Sequence, residues 1–278
     1  YEEDVLERAT SYLVTLRNPV DRAISSYRYS HVGNCLYEVY WNKKNGLRPH
    51  GCRLLETDKI GHPKRTAYKL FQLCFPSPDI ENFAQSVAQS VASPWSSSHL
   101  PRNLTAVQQW ECRKLAKKVL LGRRNEGAIP HMEYNYGYYA SRSIDKYPGK
   151  EIFGVRTEHQ WEDIVALDKM LGGSGNFQNE GRVVSHGSEK YHPSTISTEG
   201  YQKMCCVLHH ELTVYFSILD RVFNLHRADK KHSINDIRDK CGITTSFEEW
   251  RKTCQVQLNK DDQEIEAQLR QASSVGRS

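Results

Sequence analysis

One short stretch limits the fold of this chain more than any other. Ser11-Tyr12-Leu13-Val14-Thr15-Leu16 is apolar and β-branched and stops at Arg17, which reads as a buried strand, and a helix signal follows with no loop between. Asn18 suits the cap position. Pro19 suits the first helical position, where its missing N–H has no intrahelical partner, and Asp21 the first turn, where a carboxylate meets the positive end of the helix dipole. The helix is predicted to run to about Tyr29 or His31. Such a helix start offers free N–H groups to an anion. Ser25 lies one turn beyond Asp21 and Arg22 on the same face, and Arg17 can reach that face from the strand end. A guanidinium and a hydroxyl placed this way can clasp one phosphate from two sides. A capped helix packed on a strand would explain Asn18 and Pro19 equally well, but would leave Arg17 and Ser25 without a role.

The same grammar recurs downstream. Lys150-Glu151-Ile152-Phe153-Gly154-Val155 reads as a second buried strand, followed by a helix from about His159 to Leu171 that stops at Gly172-Gly173. This is a strand–helix repeat, as in α/β proteins. Between the two units, turn-forming residues crowd positions 32–78, an irregular insertion of the sort that often carries substrate contacts. Helices are predicted at Pro78–Val91, Ala106–Leu121 and Tyr134–Tyr147. A long helix is predicted over Thr198–Leu225, its apolar residues from Met204 to Phe223 recurring at three-to-four spacing. Residues 229–278 read as a polar C-terminal extension, loosely helical or a tail from Gln255 onward.

Composition narrows the function classes. Of 278 residues only 38% are hydrophobic, and no apolar run approaches the ~18 residues of a membrane span. Lys and Arg exceed Asp and Glu by 38 to 33, but the cations are scattered and form no single stripe, which suits an anionic ligand without requiring nucleic acid. Eight cysteines include no C-x-x-C pair, and His210-Glu211 is followed at the fourth position after His210 by Val214, so no metal site is expected. An even cysteine count and the Asn103-Leu104-Thr105 sequon point to an oxidising secretory compartment, with the cytoplasm as the alternative. Cys241 and Cys254 are the expected pair, with Cys205 and Cys206 packing or pairing elsewhere.

Leu16-Arg17-Asn18-Pro19-Val20-Asp21-Arg22-Ala23-Ile24-Ser25-Ser26-Tyr27 resembles the 3′-phosphate-binding segment of sulfotransferases, Arg-(Asp/Asn)-Pro-x-x-Arg-x-x-Ser-x-Tyr. The stretch from Gly137 to Gly173, with Arg156-Thr157-Glu158 at its centre, is similar to that family's helix, strand, R-x-E turn and helix. Glu158 itself reads better as a helix-start residue than as a catalytic group. Ser188-Glu189-Lys190-Tyr191-His192-Pro193 is similar to the basic loop that closes over the nucleotide in Golgi members, with Lys190 at the basic position.

The resemblance implies a P-loop-like three-layer α/β sulfotransferase domain with a central parallel sheet over residues 1–228. It also implies 3′-phosphoadenosine 5′-phosphosulfate as sulfuryl donor and 3′-phosphoadenosine 5′-phosphate as product. Arg17, Arg22, Ser25 and Lys190 would be the nucleotide contacts, and an acceptor hydroxyl, of a carbohydrate for the Golgi type, the other substrate. The family's first strand, its 5′-phosphosulfate loop and its general base precede the Arg-x-Pro segment, and the sixteen residues before Arg17 contain no Gly. These parts are therefore expected upstream of Tyr1, and no base is nominated. Tyr134, Tyr136, Tyr138 and Tyr139 could stack on sugar rings or line the core. The competing expectation is a noncatalytic anion- or glycan-binding α/β module that keeps the phosphate grip alone.

Overall fold

A computed structural model describes residues 2–28, 74–75, 80–87, 104–121, 135–176 and 196–275. Strands β1 (Ser11–Leu16) and β2 (Glu151–Arg156) pair in parallel, in register from Ser11 opposite Glu151 to Leu16 opposite Arg156. Parallel pairing needs a crossover, and the helix that leaves β1 begins it. On its other side β2 forms a parallel bridge to Val222, where the Phe223 N–H donates to the Ile152 carbonyl at 2.7 Å. The Asn224 side chain continues this edge, accepting from the Gly154 N–H at 2.7 Å and donating to the Gly154 carbonyl at 2.9 Å. Gly154 is required there, because a Cβ would lie 2.8 and 2.9 Å from the Val222 methyls.

Both strands were expected to be buried, and β1 is buried on one face only. Leu16 is fully buried and Tyr12 and Val14 pack on the core, whereas Leu13, pointing to the opposite face, is 66% exposed. The period of two along a strand produces this split, and a short apolar run does not reveal which face is covered.

Helix α1 (Glu2–Arg8), which the sequence did not announce, precedes β1, and α2 (Pro19–Arg28), α3 (Ile80–Val87), α4 (Ala106–Leu120), α5 (Tyr136–Arg142) and α6 (Gln160–Met170) follow the predicted order; α5 ends earlier than expected, and the predicted ends of α2 and α3 lie outside the described residues. The predicted helix over Thr198–Leu225 is in fact two, α7 (Thr198–Val207) and α8 (His209–Arg221), with Leu208 between them at φ −89° and ψ 14°. At this joint the His209 Nδ1 lies 2.8 Å from the Cys206 carbonyl, a side-chain donor competing for a group that regular helix would give to the backbone.

Cysteine pairing also departs from expectation. Cys241 and Cys254 do not join each other: Cys205 bonds Cys241 and Cys206 bonds Cys254, while Cys74 bonds Cys112. Neighbouring helical side chains diverge by about 100°, so Cys205 and Cys206 each reach a different element. Those elements are α9 (Arg227–Lys240), which ends at Cys241, and α10 (Phe247–Val275). The disulfides bridge the boundary expected at 228/229. Ile237, Cys241 and Ile243 belong to the same core cluster as Leu16, Tyr27, Met204 and Leu212, and Phe247, Trp250 and Leu258 pack against it. Where a loose helix or tail was expected, α10 continues to Val275 and pairs Asp262 with Lys117 of α4. Three disulfides place the chain in an oxidising, secreted or lumenal environment. No helix among the described residues is long and apolar enough to cross a membrane.

Candidate functional site

Ligands of open parallel sheets bind beyond the carboxyl ends of the strands, and here that edge is formed by Arg17 after β1 and by Arg156 at the end of β2. The local sequence folds as read. Asn18 is buried and its Oδ1 accepts from the Val20 N–H at 2.9 Å, while its carbonyl accepts from the Arg22 N–H at 2.9 Å, a cap that fixes the start of α2. The Asn18 Nδ2 donates to the Tyr201 hydroxyl at 2.9 Å, which in turn donates to Asp21 Oδ1 at 3.0 Å.

The four nucleotide contacts expected from sequence meet different surroundings. Arg17 is half-buried, and its backbone is held at both ends by one phenol: the Arg17 N–H donates to the Tyr136 hydroxyl at 2.7 Å and the same hydroxyl donates to the Arg17 carbonyl at 2.8 Å. Its guanidinium makes no hydrogen bond or ion pair with any described residue. Ser25 is half-buried on α2, and its hydroxyl likewise has no partner among the described residues. Arg22 is engaged, its Nη2 3.4 Å from Glu211 Oε2 and its guanidinium 5.0 Å over the Tyr136 ring. Lys190 lies outside the described residues.

Glu211 ties this corner together. Almost wholly buried on α8, it accepts from the Tyr136 N–H at 2.7 Å and the Gly137 N–H at 3.3 Å as well as facing Arg22. A buried carboxylate needs such partners, since desolvation otherwise costs it its charge. Burial is also the main reason the phenols of Tyr136, Tyr201 and Tyr215 titrate above their ordinary value; at Tyr201 the Asp21 carboxylate adds to it, while at Tyr136 the Arg17 backbone bond and Arg22 oppose it. All three therefore stay protonated at neutral pH, and Tyr136 and Tyr201 donate.

At the end of β2 the R-x-E turn separates in role. Arg156 is buried and grips Asp163 through Nε at 2.9 Å and Nη2 at 2.7 Å, with Nη1 donating to Ser233 Oγ at 3.2 Å. Glu158 is exposed in the short 3-10 turn Thr157–His159 ahead of α6, a helix-start position as expected.

Tyr136 was read from sequence as a possible sugar platform, and its hold on Arg17 was missed, as were Tyr201 and Glu211 entirely. These partners stand 119, 183 and 189 positions from the residues they hold, with no periodicity linking them. No group of three or more metal-ligating side chains occurs among the described residues. Compared with protein-family models, with curated proteins and with solved structures, the chain has no match in any of the three. The functional reading therefore rests on this corner of the molecule and on the motif that builds it.

Proposed function

We propose that this chain is a sulfotransferase of P-loop-like α/β fold that transfers the sulfuryl group of 3′-phosphoadenosine 5′-phosphosulfate to a carbohydrate hydroxyl, in the Golgi lumen. One observation carries the reading. Around the start of α2 the side chains of Asn18, Tyr201 and Asp21 bond one another, the Tyr136 hydroxyl bonds the Arg17 backbone and Glu211 holds Arg22 and the Tyr136 N–H, whereas the Arg17 guanidinium and the Ser25 hydroxyl are committed to no described residue. A cation and a hydroxyl left uncommitted beside a capped helix start fit a phosphate group.

The donor supplies an activated sulfuryl group: as the acceptor oxygen forms its bond to sulfur, the bridging oxygen to the 5′-phosphate departs and the hydroxyl proton is released. This chain's part is to bind and orient. Arg17 offers two parallel N–H donors to the 3′-phosphate and Ser25 a third from α2, and the positive end of α2 faces the same charge. Arg22, held by Glu211, adds positive potential without leaving its partner. Fixing the nucleotide in this way contributes to the rate by orientation, the dominant requirement when a group passes in line between two oxygens. No described residue is assigned as the base.

Calorimetry with 3′-phosphoadenosine 5′-phosphate tests the reading: wild type should bind, and Arg17→Ala and Ser25→Ala should each weaken binding strongly. Absence of binding by the wild-type chain would refute it. Binding together with failure to transfer sulfuryl to any carbohydrate acceptor, tested on the longest form of the protein, would favour the noncatalytic anion-binding module instead.

A further inference from the structure

We infer that Tyr136 is a positioning residue for the anion grip, its phenol setting the direction of Arg17 and thereby the affinity for a phosphorylated nucleotide; this rests on the function proposed above. Past Leu16, the last residue of the parallel register, the backbone of Arg17 has no strand partner, and the Tyr136 hydroxyl takes that place by bonding both its N–H and its carbonyl. A side chain that leaves the end of a strand points wherever the last peptide units direct it. A hydroxyl bonded to both ends of one residue restrains its φ and ψ together. The guanidinium has no partner among the described residues, so among them it is this restraint that sets the direction in which the Arg17 side chain leaves the backbone.

Tyr136 is in turn fixed at three points. Its backbone N–H is held by Glu211 at 2.7 Å, its ring lies under the Arg22 guanidinium at 5.0 Å, and Tyr215 packs against it with ring centroids 5.7 Å apart. It is 8% exposed, so the hydroxyl cannot exchange its two bonds for water without moving the ring. The chain thus links a carboxylate on α8 to the direction of a cation at the end of β1, through a residue that itself need not touch the nucleotide.

Tyr136→Phe keeps the ring and removes only the hydroxyl. It should weaken binding of 3′-phosphoadenosine 5′-phosphate by about five- to tenfold, the equivalent of one or two hydrogen bonds. Calorimetry on wild type, Tyr136→Phe, Arg17→Lys and the double variant supplies the decisive reading. A residue that works through Arg17 gives a double variant little weaker than Arg17→Lys alone, whereas independent contributions multiply. Ile152→Val, a core change at the far end of β2, serves as the control for lost stability, and should lower the melting temperature with affinity unchanged. If wild type binds and Tyr136→Phe binds equally, or if the two substitutions multiply, the inference is wrong while the proposed function stands. If wild type does not bind, both fall.

Discussion

Two arginines end the two parallel strands of this protein, and their surroundings are opposite. Arg156 is buried at 3% exposure and saturated, its guanidinium shared among Asp163, Ser233 and the Asp229 carbonyl. Arg17, one residue past Leu16 on the neighbouring strand, is half-buried and holds nothing described with its side chain. Residue type and sheet edge are the same, yet one cation is spent on tying β2, α6 and α9 together and the other is engaged by no described residue. The difference lies in neighbours. Asp163 comes from the first turn of α6, only seven residues along the chain, while Arg17 is followed by Asn18 and Pro19, which serve the helix start and leave the guanidinium alone.

The largest effect is expected from breaking the satisfied arginine. Arg156→Met strands the buried Asp163 carboxylate and should cost about 3–5 kcal/mol in urea unfolding, and adding Asp163→Leu should restore most of that loss. A loss below about 1 kcal/mol in the single variant would erase the contrast between the two arginines. Next comes reduction of the Cys205–Cys241 and Cys206–Cys254 bonds, each closing a loop of several tens of residues. Cys205→Ser with Cys241→Ser should lower stability by about 2–4 kcal/mol while leaving nucleotide affinity intact, since neither cysteine touches Arg17.

Arg17→Ala then reverses the pattern seen at Arg156. Its stability should stay within about 0.5 kcal/mol of wild type in the same unfolding experiment, with nucleotide affinity down by roughly 100-fold, the worth of a charged bidentate contact. An Arg17 variant that unfolds as readily as Arg156→Met would show that both cations are structural. The smallest effect concerns His209 at the α7–α8 joint, which burial holds below the ordinary imidazole value. The folded state prefers the neutral ring and the unfolded chain takes up a proton near pH 6.5, so this contribution is complete above about pH 6.5 and is lost as pH falls below it. Melting temperatures between pH 5 and 7.5 should show the fall in wild type and a flatter profile in His209→Gln.

Legibility from sequence followed the range of the interactions involved. Asn18 as cap and Pro19 at the first helical turn were readable because both serve backbone within the first turn, Asn18 by bonding the Val20 N–H, whereas the partner of Asp21, the Tyr201 hydroxyl, was not. The two strands were readable as apolar runs each leading into a helix, while the parallel sheet was expected from the resemblance. The break at Leu208 was not, because the helical period runs straight through it and only a buried histidine ring bonded to Cys206 marks the joint. Nor was the crossed pairing of Cys205 and Cys206, which depends on where α9 and α10 pass.

The sequence by itself determined the βα unit, the α/β class and the residue types at the helix start, since capping, proline geometry and strand periodicity are local. Only the tertiary structure decided which cations the described residues engage. Arg22, expected beside the phosphate, is held by Glu211 from α8; Arg156, part of the same resemblance, is buried in an ion pair; Arg17 keeps its guanidinium while Tyr136 fixes its backbone. Whether a charge serves the fold or a ligand is set by the partners that burial brings to it, and those come from far along the chain.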